Sequence, residues 1–410
     1  MLHGLFSSFN NGAFHPYAAL RISGKLNEER LFAAAQRVVN DNDALRTRMC
    51  VENGMLRLFV YDSAQYTPEQ ATCETVAEVE DDILKCLKRN FSEEDDSLFR
   101  LKLYRLPDSE YVLLVLVSHI VSDGDSIALF VKKLFGCYVD MNFSDTETTG
   151  SLAEYNAAEL KFYSSEEFKE NCRYWQSRIA FDECPNYKSP KMPGADGQNA
   201  PYFVIDMGRV RKLSAKYHCT SNMLMMCAYH LALCKMLGKN ESKFFFMYAN
   251  RTVHEYSSLI APVFQAVFSQ LEISGETTAA DAVKLMLKDC TSGIEHSRGS
   301  LLSFSFEEAM ASRGIGFIMT YSQTVSSFEA AGMKVRNFDA VFNSMEDTVL
   351  DSSLMLLAFN EMEQGILVCP LLAANDMINK SAFICDFTKA FLNSLTRLEE
   401  CGTDEALYKE

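Results

Sequence analysis

The feature that most constrains the fold is an unbroken apolar run, Tyr111 to Val117, which ends abruptly at the polar pair Ser118-His119. Seven apolar residues in succession predict a strand that is buried on both faces. From about Ser126 the apolar positions recur at helical spacing, which predicts an amphipathic helix. Polar residues between a buried strand and a helix commonly belong to a site. His119 is therefore the first candidate functional residue.

The rest of the chain alternates strand-like and helix-like segments, and this alternation predicts a mixed α/β fold. Apolar and turn patterns place further strands near 18–23, 55–61, 98–106, 202–206, 244–248, 316–322, 354–360 and 365–370. Helices are predicted near 27–38, 75–87, 126–135, 164–175, 221–237 and 380–398.

The chain of 410 residues exceeds the usual size of one hydrophobic core. We therefore expect two subdomains of about 150–200 residues each. The segment 181–199 carries three prolines and two glycines and has no clear period, as is typical of a linker. The predicted division is a subdomain at 1–180, a linker at 181–200 and a second subdomain at 201–410.

Charge and composition exclude several classes of partner. With 39 basic and 55 acidic residues the formal net charge is −16, so nucleic acid and anionic membrane surfaces are not expected partners. No apolar run approaches the roughly 18 residues that span a bilayer, and the first ten residues lack the pattern of a signal peptide. We therefore expect a cytoplasmic protein. The histidines form no HExxH pattern and the cysteines no CxxC pattern, so no metal site is expected.

Four segments occur in the order found in one known family. The segment Ser118 to Ser126 resembles the His-His-x-x-x-Asp-Gly motif of the condensation domains of nonribosomal peptide synthetases. The other three matches are Asn42 to Thr47 with "His-Glu-x-Leu-Arg-Thr", Tyr174-Trp175 with "Tyr-Trp", and Ile260 to Gln265, downstream of Asn250-Arg251, with "Ile-Gly-x-Phe-Val-Asn". The resemblance runs from about Ala18 to Leu398.

The resemblance implies a V-shaped pseudo-dimer of two halves, each related to chloramphenicol acetyltransferase, with a substrate tunnel between them. It implies an acyltransferase that joins an acyl thioester to the amine of an aminoacyl thioester held on a peptidyl carrier protein. The domain itself would bind no cofactor, because its substrates are carried on phosphopantetheine or CoA. An adenylation domain would be its neighbour if the chain is part of a synthetase.

The resemblance also assigns roles to residues. His119 would accept the proton of the attacking amine, since the pKa of a histidine lies near working pH. Asp123 would pair with Arg46 and hold the loop, or cap the following helix, or do both. Gly124 would permit a tight turn and offer its N–H to the developing oxyanion. Ser126 and Gln265 are candidates for the wall of the tunnel.

The sequence departs from the family pattern at Ser118, which replaces the first histidine and would support the loop. Because Met1 lies only a short way before the first strand, we expect a starter domain that takes an acyl group from fatty acyl-CoA or an acyl carrier protein. Two alternatives remain open. One is a free-standing CoA-dependent acyltransferase acting on a small amine or alcohol, and the other is a catalytically silent docking domain.

Overall fold

The structure is a computed structural model, and it describes residues 15–53, 55–93, 95, 97–144, 150–178, 202–252, 256–300, 315–323, 327–338, 353–362, 364–373, 380–403 and 405–407. The strands are β1 Tyr17–Ser23, β2 Thr47–Glu52, β3 Met55–Val60, β4 Glu69–Thr72, β5 Phe99–Leu106, β6 Glu110–Val117, β7 Phe203–Asp206, β8 Glu241–Tyr248, β9 Gln265–Glu272, β10 Ile315–Gln323, β11 Phe328–Ala330, β12 Met333–Asn337, β13 Ser353–Glu361 and β14 Gly365–Ala373. The helices are α1 Glu28–Asp41, α2 Val76–Lys88, α3 Gly124–Val139, α4 Leu152–Phe162, α5 Glu166–Arg178, α6 Met207–Tyr217, α7 Ser221–Leu237, α8 Ala279–Glu295 and α9 Lys380–Glu400.

The predicted buried strand is β6, and it lies inside the first sheet. This sheet has six strands in the order β11-β12-β1-β6-β5-β4. β6 pairs antiparallel with β1 on one side and with β5 on the other. From Val112 to Val117 each residue of β6 is at most 1 % exposed, as the unbroken apolar run predicts.

The second sheet also has six strands, in the order β7-β14-β13-β10-β8-β9. It mixes the two pairing types, because β10 runs parallel to both β8 and β13 while β8–β9 and β13–β14 are antiparallel. A separate hairpin is formed by β2 and β3. Two sheets with accompanying helices confirm the predicted mixed α/β class.

Caps that can be read in the sequence set several helix ends. Asn27 caps α1 by accepting a hydrogen bond from the backbone N–H of Arg30 at 3.0 Å. α7 ends at Gly238, whose φ of 61° is the left-handed conformation that glycine adopts without strain. The sequence pattern of Ser164 and Glu167 predicts a cap at Ser164 for the helix near 164–175, and this prediction is wrong by one residue. The hydroxyl of Ser165 accepts the N–H of Phe168 at 3.1 Å, and α5 begins at Glu166.

The chain forms two units that are interleaved in sequence. The first contains 1–162, 249–264 and 324–344, and the second contains 163–248, 265–323 and 345–410. This grouping differs from the contiguous division at 1–180 and 201–410, because β11 and β12 pair with β1 from far along the chain. The expected linker at 181–200 lies outside the described residues. Within the part of the chain that is described, no helix is long and apolar enough to cross a bilayer.

Candidate active site

His119 follows the end of β6 in a turn that the backbone of Ser118 organises. The N–H of Ser118 donates to the carbonyl of Leu98 at 2.8 Å, which extends the pairing with the β5 side. The carbonyl of Ser118 then accepts from the N–H of Val121 at 3.1 Å and from the hydroxyl of Ser122 at 2.9 Å. The buried Ser118 thus supports the loop, mainly through its main chain.

The imidazole of His119 is oriented by a backbone carbonyl and an aromatic ring. Its Nδ1 lies 2.8 Å from the carbonyl oxygen of Ser122. A carbonyl oxygen can only accept, so Nδ1 carries the proton and, in the neutral ring, the lone pair is on Nε2. The ring packs against Phe264, with centroids 5.0 Å apart and an angle of 43° between the planes. The arrangement presents Nε2 as a base.

The charge state of His119 follows from its surroundings. Loss of hydration lowers the pKa of His119 below its usual 6.5, while the hydrogen bond to Ser122 and the nearby negative charge of Asp123 partly oppose this shift. The ring is therefore neutral at pH 7. A neutral imidazole is the form that can accept a proton.

Asp123 is buried and takes part in both of the roles expected for it, as cap and as ion pair. Its Oδ1 accepts from the N–H and the hydroxyl of Ser126 at 2.8 and 2.7 Å, and the hydroxyl in turn accepts from the N–H of Asp123, completing a capping box for α3. The same oxygen lies 2.7 Å from Nη2 of Arg251, and Oδ2 accepts from the N–H of Val263 at 3.2 Å.

The arginine that pairs with Asp123 is Arg251, so the prediction of Arg46 is wrong. Arg46 ends a short 3₁₀ helix, Asp43–Arg46, in which the carboxylate three residues earlier lies within reach at 2.6 Å. Its other terminal nitrogen donates to the carbonyl of Tyr61. Nη1 of Arg251 donates to the carbonyl of Leu259 at 2.8 Å, so the contact with Asp123 is made through Nη2 and is not a bidentate fork.

Two further predictions about α3 need correction. Gly124 is the first residue of the helix and has no positive φ, and a Cβ added there would meet no atom within 4 Å. A tight turn therefore does not require glycine at this position. Ser126 is 1 % exposed and bonded to Asp123, Arg251 and Ala261, so it stabilises the loop and does not line an open passage.

Gln265 is the first residue of β9 and belongs to the second unit. The side chain is buried, and its Oε1 accepts from the hydroxyl of Ser300 at 3.4 Å. The tunnel role predicted for Gln265 remains a prediction.

Sequence reasoning missed two contributors to this site. Arg251 precedes the matched segment Ile260 to Gln265 but received no role, and Phe264 lies next to Gln265 within that segment. Both belong to 249–264, which packs in the same unit as His119. The available signal was an arginine just before a segment of the family pattern.

Comparison with known proteins identifies the family. The sequence model of the condensation domain matches residues 5–303, and the chain belongs to this family. Condensation domains are acyltransferases that form amide bonds, which confirms the predicted class of enzyme.

Individual relatives are distant. Surfactin synthase subunit 1 of Bacillus subtilis is 26 % identical over 277 residues, which are 64 % of this chain and 7 % of that protein. Malpinin synthetase of Mortierella alpina is 22 % identical over 298 residues, 69 % of this chain and 4 % of that protein. The chain thus spans only a small part of the length of these curated relatives.

Solved structures share the fold. The condensation domain from the Monacolin K polyketide synthase MokA has a TM-score of 0.80 at 14 % identity, covering 97 % of this chain and 94 % of that one. The starter condensation domain of rhizomide synthetase RzmA has a TM-score of 0.75 at 11 % identity, covering 99 % and 95 %.

Proposed function

We propose that this domain transfers an acyl group from a thioester to the α-amine of an aminoacyl thioester on a peptidyl carrier protein, with His119 as the proton acceptor. The observation that carries the proposal is the contact of 2.8 Å between Nδ1 of His119 and the carbonyl of Ser122. Because this contact fixes the tautomer, Nε2 is the atom that receives the proton. The lowered pKa of His119 keeps that nitrogen unprotonated at pH 7.

The reaction then proceeds with a single proton carried by His119. The amine nitrogen forms a bond to the thioester carbon, the carbonyl electron pair moves to oxygen, and Nε2 takes the amine proton. The carbonyl forms again, the carbon–sulfur bond breaks, and the leaving thiolate receives the proton from His119. The products are an amide and a thiol.

Orientation supplies most of the acceleration in this proposal. A thioester is already activated, and holding two reactants in place is worth about 7–11 kcal/mol. An α-amine with a pKa near 8 is about one tenth neutral at pH 7, a cost of only about 1.4 kcal/mol. His119 is therefore more useful as the proton acceptor during attack than as a base that generates free amine beforehand.

We also propose the starter type of reaction, in which the donor is a fatty acyl-CoA or an acyl carrier protein and the product is an N-acylated amino acid in lipopeptide synthesis. The chain shares its fold with the starter condensation domain of rhizomide synthetase, which is the type of domain proposed here. The partners would be a carrier protein with its phosphopantetheine arm and an adjacent adenylation domain, acting in the cytoplasm.

The test is an intact-mass assay of a carrier protein loaded with aminoacyl groups and supplied with medium- or long-chain acyl-CoA or acyl carrier protein. We expect the acyl mass to appear with the wild type and to fall at least about tenfold with His119→Ala. Equal product from both proteins would overturn the role of His119. Acylation of soluble amines without a carrier would indicate a free-standing acyltransferase, and no product with any donor would indicate a silent docking domain.

A further inference from the structure

The hairpin of β2 and β3 presents a run of exposed apolar side chains. Leu58, Phe59, Val60 and Tyr61 follow one another in the sequence, and each is between 40 % and 46 % exposed. The two strands form a sheet of their own, and no other described strand pairs with either of them. A two-stranded hairpin alone is marginally stable in water, and an apolar strand at the edge of a sheet readily pairs with another strand. β3 therefore offers an edge to which a further strand can add.

The hydrogen bonds of the hairpin show which backbone groups of β3 face that edge. The N–H of Tyr61 donates to the carbonyl of Arg46 at 3.2 Å, so this opposite pair is hydrogen-bonded across the hairpin. Hydrogen-bonded and non-hydrogen-bonded pairs alternate, so the next pair, Thr47 with Val60, directs its backbone groups outward. The carbonyl of Thr47 accordingly accepts from the N–H of Leu98, outside the hairpin. The groups of β3 that point away from β2 are therefore the N–H and C=O of Leu56, Leu58 and Val60.

We propose that a second copy of this chain docks on this edge, and that the two β3 strands pair antiparallel about Leu58. In this register Leu58 lies opposite the partner's Leu58, and Leu56 lies opposite the partner's Val60. Every outward-facing N–H and C=O of the three residues then has a partner, and the two hairpins become one sheet of four strands. The contact is isologous, since the same strand of each copy meets the other.

Charge selects this register over its neighbours. Arg57 is the one charged residue of β3, and it pairs with Glu52 of β2 at 3.0 Å. Pairing about Leu58 places Arg57 opposite the partner's Phe59, in a non-hydrogen-bonded pair where side chains are close and a guanidinium can contact the ring face. A slip of two residues in one direction places Arg57 opposite the partner's Arg57, which is destabilising. A slip of two residues in the other direction leaves the outward groups of Leu56 unpaired.

The same features favour a second copy as the occupant. A strand that adds to β3 needs an apolar residue opposite Leu58 and must not place a cation opposite Arg57, and β3 itself meets both conditions. Leu58 and Val60 share a face of the hairpin with Val51, which is 47 % exposed, so the joined sheet would also extend an apolar face. The net charge of −16 opposes association, but at physiological salt charges more than about 8 Å apart are largely screened.

Disulfide cross-linking tests the register with two matched variants. The Cα atoms of an opposite hydrogen-bonded pair lie about 5.5 Å apart, within the range that a disulfide spans, so Leu58→Cys should link two copies. Val60 is similarly exposed and also faces the edge, but in this register the partner's Val60 is offset by roughly 13 Å along the strand. With diamide as oxidant we expect at least about tenfold more linked dimer from Leu58→Cys than from Val60→Cys or the wild type. Equal linking of the two variants, or none in Leu58→Cys, would overturn the proposal.

Analytical ultracentrifugation tests the association itself. We expect the mass of the wild type to rise with concentration towards twice that of one chain, and that of Leu58→Pro to remain that of one chain. The N–H lost in Leu58→Pro faces away from β2, and proline is tolerated on edge strands in that orientation. Leu160→Ala is the control, because Leu160 is 68 % exposed on α4, and it should associate as the wild type does.

A wild type that stays a single chain at all concentrations would overturn the proposal and leave the edge to a different protein. Association of Leu58→Pro as strong as that of the wild type would overturn it as well. If thermal unfolding shows that Leu58→Pro is not folded, the comparison of Leu58→Cys with Val60→Cys still decides the matter. No substrate enters either experiment, so the outcome is independent of the proposed reaction.

Discussion

At the scale of single residues, Asp123 connects the start of α3 to the segment 249–264. Its two carboxylate oxygens accept hydrogen bonds from Ser126, Arg251 and Val263. The turn that holds His119 comes directly before Asp123 in the sequence. The side chains of Asp123 and Arg251 are 4 % and 11 % exposed. Removing one member of such a pair leaves the other charge buried without compensation.

We predict that Asp123→Ala lowers the free energy of unfolding by about 3–5 kcal/mol, measured by urea denaturation. A double-mutant cycle with Arg251→Ala should be strongly non-additive, because the two side chains are in contact. The matched control is the cycle with Arg46→Ala, which should be additive within about 0.5 kcal/mol since Arg46 pairs with Asp43. Coupling of equal size in both cycles would contradict the assignment of Arg251.

The pH dependence of kcat/KM is a second prediction at this scale. His119 must be neutral to act as a base, and its pKa is lowered, so we expect the acid limb assigned to His119 below pH 6.5. The negative charge of Asp123 raises the pKa of His119, so Asp123→Asn should move that limb to still lower pH. A second limb near pH 8 belongs to the amine and should not move. A shift of the His119 limb to higher pH in Asp123→Asn would contradict this account.

At the scale of elements, the start of α3 contains one residue whose replacement should not lower stability, Gly124, and one whose replacement should, Ser126. Gly124 has ordinary backbone geometry and open space around the Cβ position, whereas Ser126 forms half of the capping box. We predict that Gly124→Ala leaves stability unchanged or raises it by up to about 1 kcal/mol. Ser126→Ala should lower stability by about 0.5–2 kcal/mol. Thermal unfolding of the two variants tests both, and a larger loss for Gly124→Ala than for Ser126→Ala would show that the turn needs glycine.

Elements with strong local signals could be predicted from the sequence. α7 was predicted to begin at Ser221 and end at Leu237 because a helical run is followed by Gly238, and β6 because its apolar run is unbroken. β2 was missed because Arg48 and Glu52 interrupt the apolar pattern of a partly exposed hairpin strand. β9 was missed because its start at Gln265 lies in a segment that was interpreted only as a motif.

The candidate site was predictable in its local part and not in its long-range part. His119, Asp123 and Ser126 lie within one short segment, and the cap follows from residue types at fixed spacing. Arg251 is 128 residues from Asp123, and no local pattern distinguishes it from Arg46 as a partner for the same carboxylate. His15, whose ring nitrogens have no hydrogen-bond partner among the described residues, likewise lies at this end of β6 because β1 pairs with β6, and periodicity does not specify pairing partners.

At the scale of the whole molecule, buried neutral histidines make stability depend on pH. Burial lowers the pKa of both His15 and His230 to about 3, against about 6.5 for an unfolded histidine. As pH falls from about 6.5 towards 3, these histidines therefore bind protons in the unfolded state but remain unprotonated in the folded state. The stability that depends on their neutral form is fully present above pH 6.5 and decreases as pH falls through this range.

We predict that these two groups each remove up to about 1.4 kcal/mol of stability per pH unit as pH falls below 6. Urea denaturation at several pH values measures this slope. In His15→Phe the slope of the unfolding free energy against pH should be smaller by the contribution of one proton, about 1.4 kcal/mol per pH unit. The free energy of unfolding above pH 7 should not fall. An unchanged slope in the variant would show that His15 is protonated in the folded protein.

The pairing of β12 with β1 also bears on how this chain is made. Leu20 lies opposite Asn337, so the first sheet joins residues more than 300 positions apart. At roughly 5–20 residues per second, a ribosome needs about 15–65 s to proceed from β1 to that strand. Until then β1 presents one open edge, to which the nascent chain or a neighbouring one can add a strand. The first unit is therefore completed only after β12 has been synthesised, and its yield in cells should be sensitive to chaperones that cover strand edges.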